Sequence, residues 1–341
     1  MRSLILESST NAKSLTLVES SLSQPKKGEV RVKITSAGLN RGDLLYTQNR
    51  YFIKPNSGSR IGFEGAGVIE CIGQGTETSF NVGDRVGISP MGFDVSTQGC
   101  LAEYGTYPVD ALFYSPTGLN DEDTGAIWMA YLTAWGGLVD AGGLKKGESV
   151  VITAASSSVG IAAIQIANML GATPIAVTTS DKKAKTLIEL GAKHVITQPS
   201  NHDTNTLKSQ INHYVEHIKS FTDNHGPDLA SDAVAGPTSP AVIKASKREG
   251  RIIIHGMLDR LPMDIHAGVI MKRLLTLKGY TVDQTLSHNA NKAIAIKAIR
   301  SGFKDQQLTP IIAKHFSLGQ FDQAFTFLQS NQHIGKIVIT P

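Results

Sequence analysis

Apolar and polar positions alternate through Glu29–Ser36 (EVRVKITS), the period of a half-buried strand. Gly65–Ile72 (GAGVIECI) predicts another strand, closed by a turn at Gly73–Gly75. Asn81–Gly87 predicts a tight turn leading into a strand, and Leu101–Pro108 one more. Short strands with Gly-rich turns predict a small distorted barrel up to about Trp128. From about Ala130 the texture changes. Strands are expected at Ser149–Thr153, Pro174–Thr179, His194–Thr197, Leu229–Ala233, Gly250–His255 and Leu275–Tyr280. Helices are expected at Val159–Leu170 and Lys182–Leu190, with a polar surface helix over Asn205–Phe221. Strands alternating with helices predict a parallel doubly wound sheet, so the fold class is α/β in two parts. After Tyr280 a helical stretch (Asn289–Ser301), polar connections and a closing strand (Gly335–Ile339) are expected. That last segment returns to the first part, because the parallel sheet is complete without it.

Composition narrows the function classes. The 341 residues exceed one ordinary core, and 41% apolar with 18% charged residues is ordinary for a soluble globular protein. The net charge of +4 comes from scattered basic residues, which argues against a nucleic-acid partner. Two cysteines, Cys71 and Cys100, make no disulfide framework, and a reducing cytoplasm is expected. Cys71, in an apolar strand, reads as a small buried residue. The N-terminus has too short an apolar core for a signal peptide. Ser149–Ser180 carries no charge and is long enough to span a bilayer. Its internal loops would leave backbone groups unsatisfied in lipid. A buried strand–helix–strand unit accounts for the same residues, so no membrane partner is expected.

The turn Ala155-Ser156-Ser157-Ser158-Val159-Gly160 joins the first strand of the parallel sheet to its helix. Helix N-termini expose unpaired N–H groups and partial positive charge, and small residues let a diphosphate approach them. Only the last glycine of G-x-G-x-x-G is present. A small-residue turn without a ligand is the competing reading, and the parallel unit that follows favours the nucleotide. The Ser157 hydroxyl is a candidate donor to a phosphate. The next strand ends Thr178-Thr179-Ser180, with Lys182 and Lys183 behind it and Asp181 past the strand end. A carboxylate there would bind a ribose 2′-OH, whereas hydroxyls and an ammonium suit a 2′-phosphate. NADP(H) is therefore the expected cofactor, with Thr179, Ser180 and Lys183 around the phosphate.

At this point the residues resemble a known family. Gly38-Leu39-Asn40-Arg41-Gly42-Asp43, Gly62–Val68, Val82–Gly87, Tyr131-Leu132-Thr133-Ala134-Trp135, Ala154–Gly160 and Gly335-Lys336-Ile337-Val338 stand in the order and spacing of the medium-chain dehydrogenase/reductase superfamily, in its zinc-free, quinone-oxidoreductase-like branch. The resemblance covers the whole chain. It implies a GroES-like β-barrel catalytic domain, residues 1–129 and 282–341, around a Rossmann domain of residues 130–281 that binds NADP. It also implies an active site in the cleft between them. The resemblance implies a dimer or a tetramer; a homodimer, paired through the strand matching Thr276–Val282, is the expected assembly. Thr133 is expected at the nicotinamide. Asn40, Gly256 and Lys336 join Ser156, Ser157, Ser158, Val159, Gly160, Thr179, Ser180 and Lys183 in the expected cofactor set.

Zinc members of the superfamily bind the metal through Cys, His and Cys. Those positions are Asn40, Phe63 and Met129 here, and Phe63 cannot ligate a metal. Glu64 stands beside it, but one carboxylate makes no site. No metal is expected. Without a Lewis acid, simple alcohol oxidation is disfavoured, while hydride delivery to a quinone or an α,β-unsaturated carbonyl needs only hydrogen-bond donors and a proton. Asn40 and Tyr51 are the expected catalytic donors, and Tyr51 stands either as proton donor or as pocket lining. Tyr46 is a second candidate for its part. Asp43 is expected to make a structural hydrogen bond, and the loop cations Arg50, Lys54 and Arg60 to be solvated. The expected activity is a zinc-independent NADPH-dependent reductase. A zinc-type alcohol dehydrogenase and a non-catalytic NADPH-binding module are the alternatives.

Overall fold

The computed structural model describes residues 1–7, 15–198 and 207–341. In its first part the strands are β1 (Arg2–Leu6), β2 (Leu15–Glu19), β3 (Glu29–Leu39), β4 (Ser59–Arg60), β5 (Gly65–Ile72), β6 (Arg85–Ile88), β7 (Tyr104–Pro108) and β8 (Leu112–Tyr114). The helices there are α1 (Arg41–Thr47), α2 (Val95–Gln98) and α3 (Asp121–Thr124), and α4 (Trp128–Trp135) runs from this part into the next. The parallel part holds β9 (Ser149–Ile152), α5 (Ser158–Met169), β10 (Thr173–Thr178), α6 (Asp181–Glu189), β11 (His194–Thr197), α7 (Leu207–Ser220), β12 (Leu229–Asp232), α8 (Ser239–Ala245), β13 (Arg251–Ile254), α9 (Ala267–Arg273), β14 (Thr276–Gly279) and α10 (Val282–Leu286). The chain closes with α11 (Asn289–Lys304), β15 (Ile312–Ser317), α12 (Phe321–Gln329) and β16 (Lys336–Thr340).

Two compact units result, Met1–Ala130 with Ile296–Pro341, and Tyr131–Ala295. The expected boundary at 282 therefore lies at 296 by contact. Residues 282–295 group with the second unit, where the Thr285 hydroxyl donates to Asp140 at 2.6 Å and pairs with the Tyr280 hydroxyl at 2.9 Å.

In the first unit the sheet order is β15-β16-β3-β5-β6-β8, with β7 on β3 and a small β2-β1-β4 sheet beside it. β16 runs antiparallel to β3, pairing Val338 with Gly38, so the last strand is built into the sheet that carries Asn40. Val30, Val32, Ile34, Ile69, Ile88 and Ile337 fill the core. Gly87 must be glycine, since a Cβ there would lie 1.7 Å from Nε1 of Trp128. Cys71 is half-buried rather than buried, because β5 turns toward solvent at Glu70; Cys100 is the enclosed thiol.

In the second unit six parallel strands are ordered β11-β10-β9-β12-β13-β14. β10 and β12 flank β9 on opposite sides, and their crevice lies at the carboxyl end of β9, where ligands of doubly wound sheets bind. Val150, Val151 and Ile152 are buried on both faces, which is why the segment reads as a continuous apolar run. The helix expected over 205–221 is α7, Leu207–Ser220; positions 205 and 206 lie outside the described residues. Among the described residues no helix is long and apolar enough to cross a membrane.

Candidate functional site

In the second unit β9 delivers the chain to α5 through Thr153–Ser157. Ala154 takes a left-handed φ of 47°, and the Ser157 N–H returns to its carbonyl at 2.9 Å. Ser157 is the N-cap of α5, its Oγ accepting the Gly160 N–H at 3.1 Å. Gly160 is packed against the strand end, since a Cβ would lie 2.6 Å from Cα of Ala155. Ser156, Ser157, Ser158 and Val159 are half-buried and form the lip of the turn. Ser158 and Val159 open the helix, where N–H groups have no intrahelical acceptor. The expected Ser157 hydroxyl is thus occupied as an acceptor and keeps its hydrogen for donation.

β10 ends at Thr178; Thr179 is exposed, and Ser180 is the N-cap of α6 with no side-chain bond to it. One turn on, the Lys183 ammonium donates to Ser156 Oγ at 3.3 Å. Burial pulls its pKa below the ordinary lysine value. The cation thus bridges the two βα turns. Across the crevice Asp232 is fully buried, accepting from Thr153 Oγ1 at 2.8 Å and from the Val234 N–H at 3.0 Å. It ties the ends of β9 and β12 together, a role the sequence did not signal. Gly256 leaves no space for a side chain, as a Cβ would lie 2.6 Å from the Ala233 carbonyl oxygen. Thr133 is buried on α4. These groups fit a dinucleotide: small residues at the turn, first-turn N–H groups, and a cation with hydroxyls at the next strand end.

In the first unit a second cluster forms. Asn40 is the N-cap of α1 and is nearly buried. Its Nδ2 donates to the Gly38 carbonyl at 3.0 Å and to Glu64 Oε1 at 3.1 Å, while its Oδ1 accepts from the Lys336 ammonium at 2.5 Å. Both amide hydrogens are used internally, so the structure does not present Asn40 as a free donor. Lys336 also forms an ion pair with Glu64, and Glu64 Oε2 accepts the Met129 N–H at 2.7 Å. Asp43, fully buried, accepts the N–H groups of Asn40 (2.7 Å) and Phe63 (3.1 Å), the structural role expected of it.

Phe63 is buried, its ring 5.6 Å from Tyr46 and 5.1 Å from Tyr51. Tyr46 is fully enclosed, whereas Tyr51 is half-buried and lies over Gly42, where a Cβ would sit 3.4 Å from its ring. Tyr51 is therefore the phenol of the two that is open to solvent. Of the loop cations, Arg60 donates to the Tyr104 carbonyl at 2.9 Å and Lys54 to the Asn49 carbonyl at 3.0 Å.

The zinc positions do not fit a metal. Phe63 offers no lone pair, Met129 only a thioether, and the one carboxylate beside them holds Lys336. Among the described residues no group of three His, Cys, Asp or Glu side chains is placed to bind an ion. The Glu64–Lys336 pair was not anticipated from the sequence, since it joins positions far apart in the chain. A retained glutamate beside a phenylalanine at a ligand position was the available signal.

Comparison with known proteins agrees with both halves. Residues 26–134 match the alcohol dehydrogenase GroES-like domain and residues 158–298 the zinc-binding dehydrogenase domain. The chain is 29% identical over 343 residues to the acryloyl-coenzyme A reductase of Sulfurisphaera tokodaii, covering 93% of this chain and 94% of that one. It is 28% identical over 317 residues to the quinone oxidoreductase of Sus scrofa, covering 92% and 90%. It also matches a mycocerosic acid synthase-like polyketide synthase of Mycolicibacterium smegmatis at 27% identity, spanning 15% of that protein's length. The quinone oxidoreductase of Escherichia coli, solved as a complex with NADPH, superimposes with a TM-score of 0.87 at 20% identity over the whole of both chains.

Proposed function

Because the chain belongs to the medium-chain dehydrogenase/reductase superfamily and is quinone-oxidoreductase-like, we propose that it is an NADPH-dependent reductase, acting without zinc on a quinone or an α,β-unsaturated carbonyl. The observation that carries the zinc-free part is that Glu64, the carboxylate beside Phe63, already holds Lys336. The acryloyl-coenzyme A reductase and quinone oxidoreductase relatives support the substrate class.

Reduced NADP, when bound, supplies a hydride. The chain's own residues do the rest. The N–H groups of Ser158 and Val159 and the Ser157 hydroxyl hold the diphosphate at the start of α5. Thr179, Ser180 and Lys183 hold the 2′-phosphate, with Ser156 keeping the lysine in place. Gly256 gives close backbone approach, and Thr133 contacts the nicotinamide. Lys336, with two of its three donors given to Glu64 and Asn40, offers the third to the cofactor.

Hydride addition to a conjugated carbonyl leaves an enolate, and addition to a quinone leaves a phenolate. Tyr51 donates the proton that completes either product and regains it from water. Asn40, its amide held between Glu64 and Lys336, acts as a positioning residue at the start of α1. The two unpaired cysteines support a reducing cytoplasm, and β14, the exposed edge strand of the six-stranded sheet, supports assembly as a homodimer.

The test is NADPH consumption against a 1,4-quinone, an enone and a simple alcohol with NADP, each with and without a chelator. Chelator-insensitive reduction of quinone or enone, with no alcohol oxidation, is expected. Alcohol oxidation that a chelator abolishes overturns the reading.

A further inference from the structure

At the amino ends of β9, β10 and β12 the second unit carries an open cavity of about 790 Å³. The strands are parallel, so this end of the sheet is opposite the Ala154–Gly160 turn. The volume is that of a small-molecule site. Ser149 and Thr173 lie at its floor. One wall is the loop after α7. There the Asn224 N–H returns to the Lys219 carbonyl and the Gly226 N–H to Thr222 Oγ1, both at 2.9 Å. Asp223 and Asn224 are both left-handed (φ 48° and 62°). At Gly226 a Cβ would lie 2.0 Å from the Ala245 carbonyl oxygen, so the loop is pinned to the connection between α8 and β13. Phe221, stacked on His194 at 4.2 Å, adds an aromatic surface.

The lining is cationic. Lys219, Lys247, Arg248 and Arg273 face Asp223 and Asp228. Asp228 is already satisfied, since it pairs with Lys247 and takes both the N–H (2.8 Å) and the hydroxyl (3.0 Å) of Ser149. Arg273 is held by the Ser246 carbonyl, a neutral acceptor that leaves its positive charge in place, whereas Arg248 donates to the Lys272 carbonyl at 3.3 Å and lies 3.8 Å from the Glu249 carboxylate. Among the described residues no carboxylate lies within 4.0 Å of the Lys219 ammonium or the Arg273 guanidinium. A guanidinium and an ammonium around one polar cavity match a tetrahedral dianion.

We propose that this cavity is a second site, distinct from the dinucleotide cradle, that binds a small phosphate-bearing molecule through Lys219 and Arg273. Neither the fold nor the reductase reading requires it.

Calorimetric titration of inorganic pyrophosphate into the full chain, saturated with NADPH, tests the proposal. Binding is expected that weakens with added salt. Lys219→Gln is expected to weaken it about tenfold, the loss of one hydrogen bond to a charged group, and Lys219→Gln/Arg273→Gln about a hundredfold. Lys183→Gln, in the other βα turn, is expected to leave it unchanged, which separates this site from the dinucleotide cradle whether or not NADPH is the cofactor. Lys219 is only half-buried, so its variant keeps the test interpretable if the Arg273 variant unfolds. No heat at millimolar pyrophosphate, loss in Lys183→Gln rather than Lys219→Gln, or citrate binding as tightly as pyrophosphate overturns the proposal.

Discussion

The Lys336 ammonium is paired with the Glu64 carboxylate in the interior of the first unit, with 3% and 0% of the two side chains exposed. Lys336 opens the last strand and Glu64 immediately precedes β5; both reach Asn40 at the end of β3 and start of α1. The cluster therefore locks the C-terminal strand to the helix start that carries the candidate site.

Glu64→Gln keeps an acceptor for the Met129 N–H but strands the buried ammonium. Removing one partner of a buried pair costs about 3–5 kcal/mol. A denaturant midpoint lowered accordingly is expected, with much of the loss recovered in Glu64→Gln/Lys336→Met. An unchanged midpoint for the single variant shows that the pair is not held in solution.

Tyr51→Phe is expected to lower turnover on an enone by roughly 10²-fold, the low end of the range for a positioned general acid. Tyr46→Phe is expected to leave turnover alone, because Tyr46 is fully enclosed. Equal effects of the two variants assign Tyr51 to lining rather than proton transfer.

Lys183 is expected to tell the two nicotinamide cofactors apart. Lys183→Gln removes the cation beside Ser156 and should weaken NADPH about tenfold, the contribution of one charged hydrogen bond. NADH affinity should barely change. Fluorescence titration with both cofactors decides it, and equal losses refute a 2′-phosphate role.

His255 predicts an acid-side loss of stability. Burial lowers its pKa from 6.5 to about 4, against the pull of Asp232, and its ring pairs with Ser231 Oγ at 3.0 Å. The folded state then binds fewer protons than the unfolded chain between those values, so stability falls as pH drops from about 6.5 to about 4. His255→Gln is expected to flatten that part of the pH–stability curve by up to one proton. An identical slope in the variant assigns the acid sensitivity elsewhere.

Much of the second unit was legible residue by residue. Its strands are buried on both faces, so β-branched runs marked them directly, and β11 matches its expected bounds. In the first unit β5 was equally plain, but β1, β2, β15 and α12 were not. β2 is half-exposed and β15 carries Lys314 and His315, so neither shows the clean alternation of a buried face. Cys71 stands in an apolar run whose pattern points inward, but β5 leaves the core at Glu70, one residue before it.

The motif order that resembles the superfamily, the alternation that makes one unit β-rich and the other doubly wound, and the residue types at the would-be metal positions are all written in the primary sequence. Those properties are local, carried by periodicity and by which atoms a side chain possesses. It takes the folded chain to show that Asn40 spends its amide hydrogens on Gly38 and Glu64, that Lys336 turns to Glu64, and that Lys183 reaches Ser156. Each of these is a contact between distant positions, made because a buried polar group must find a partner and the fold determines which one is within reach.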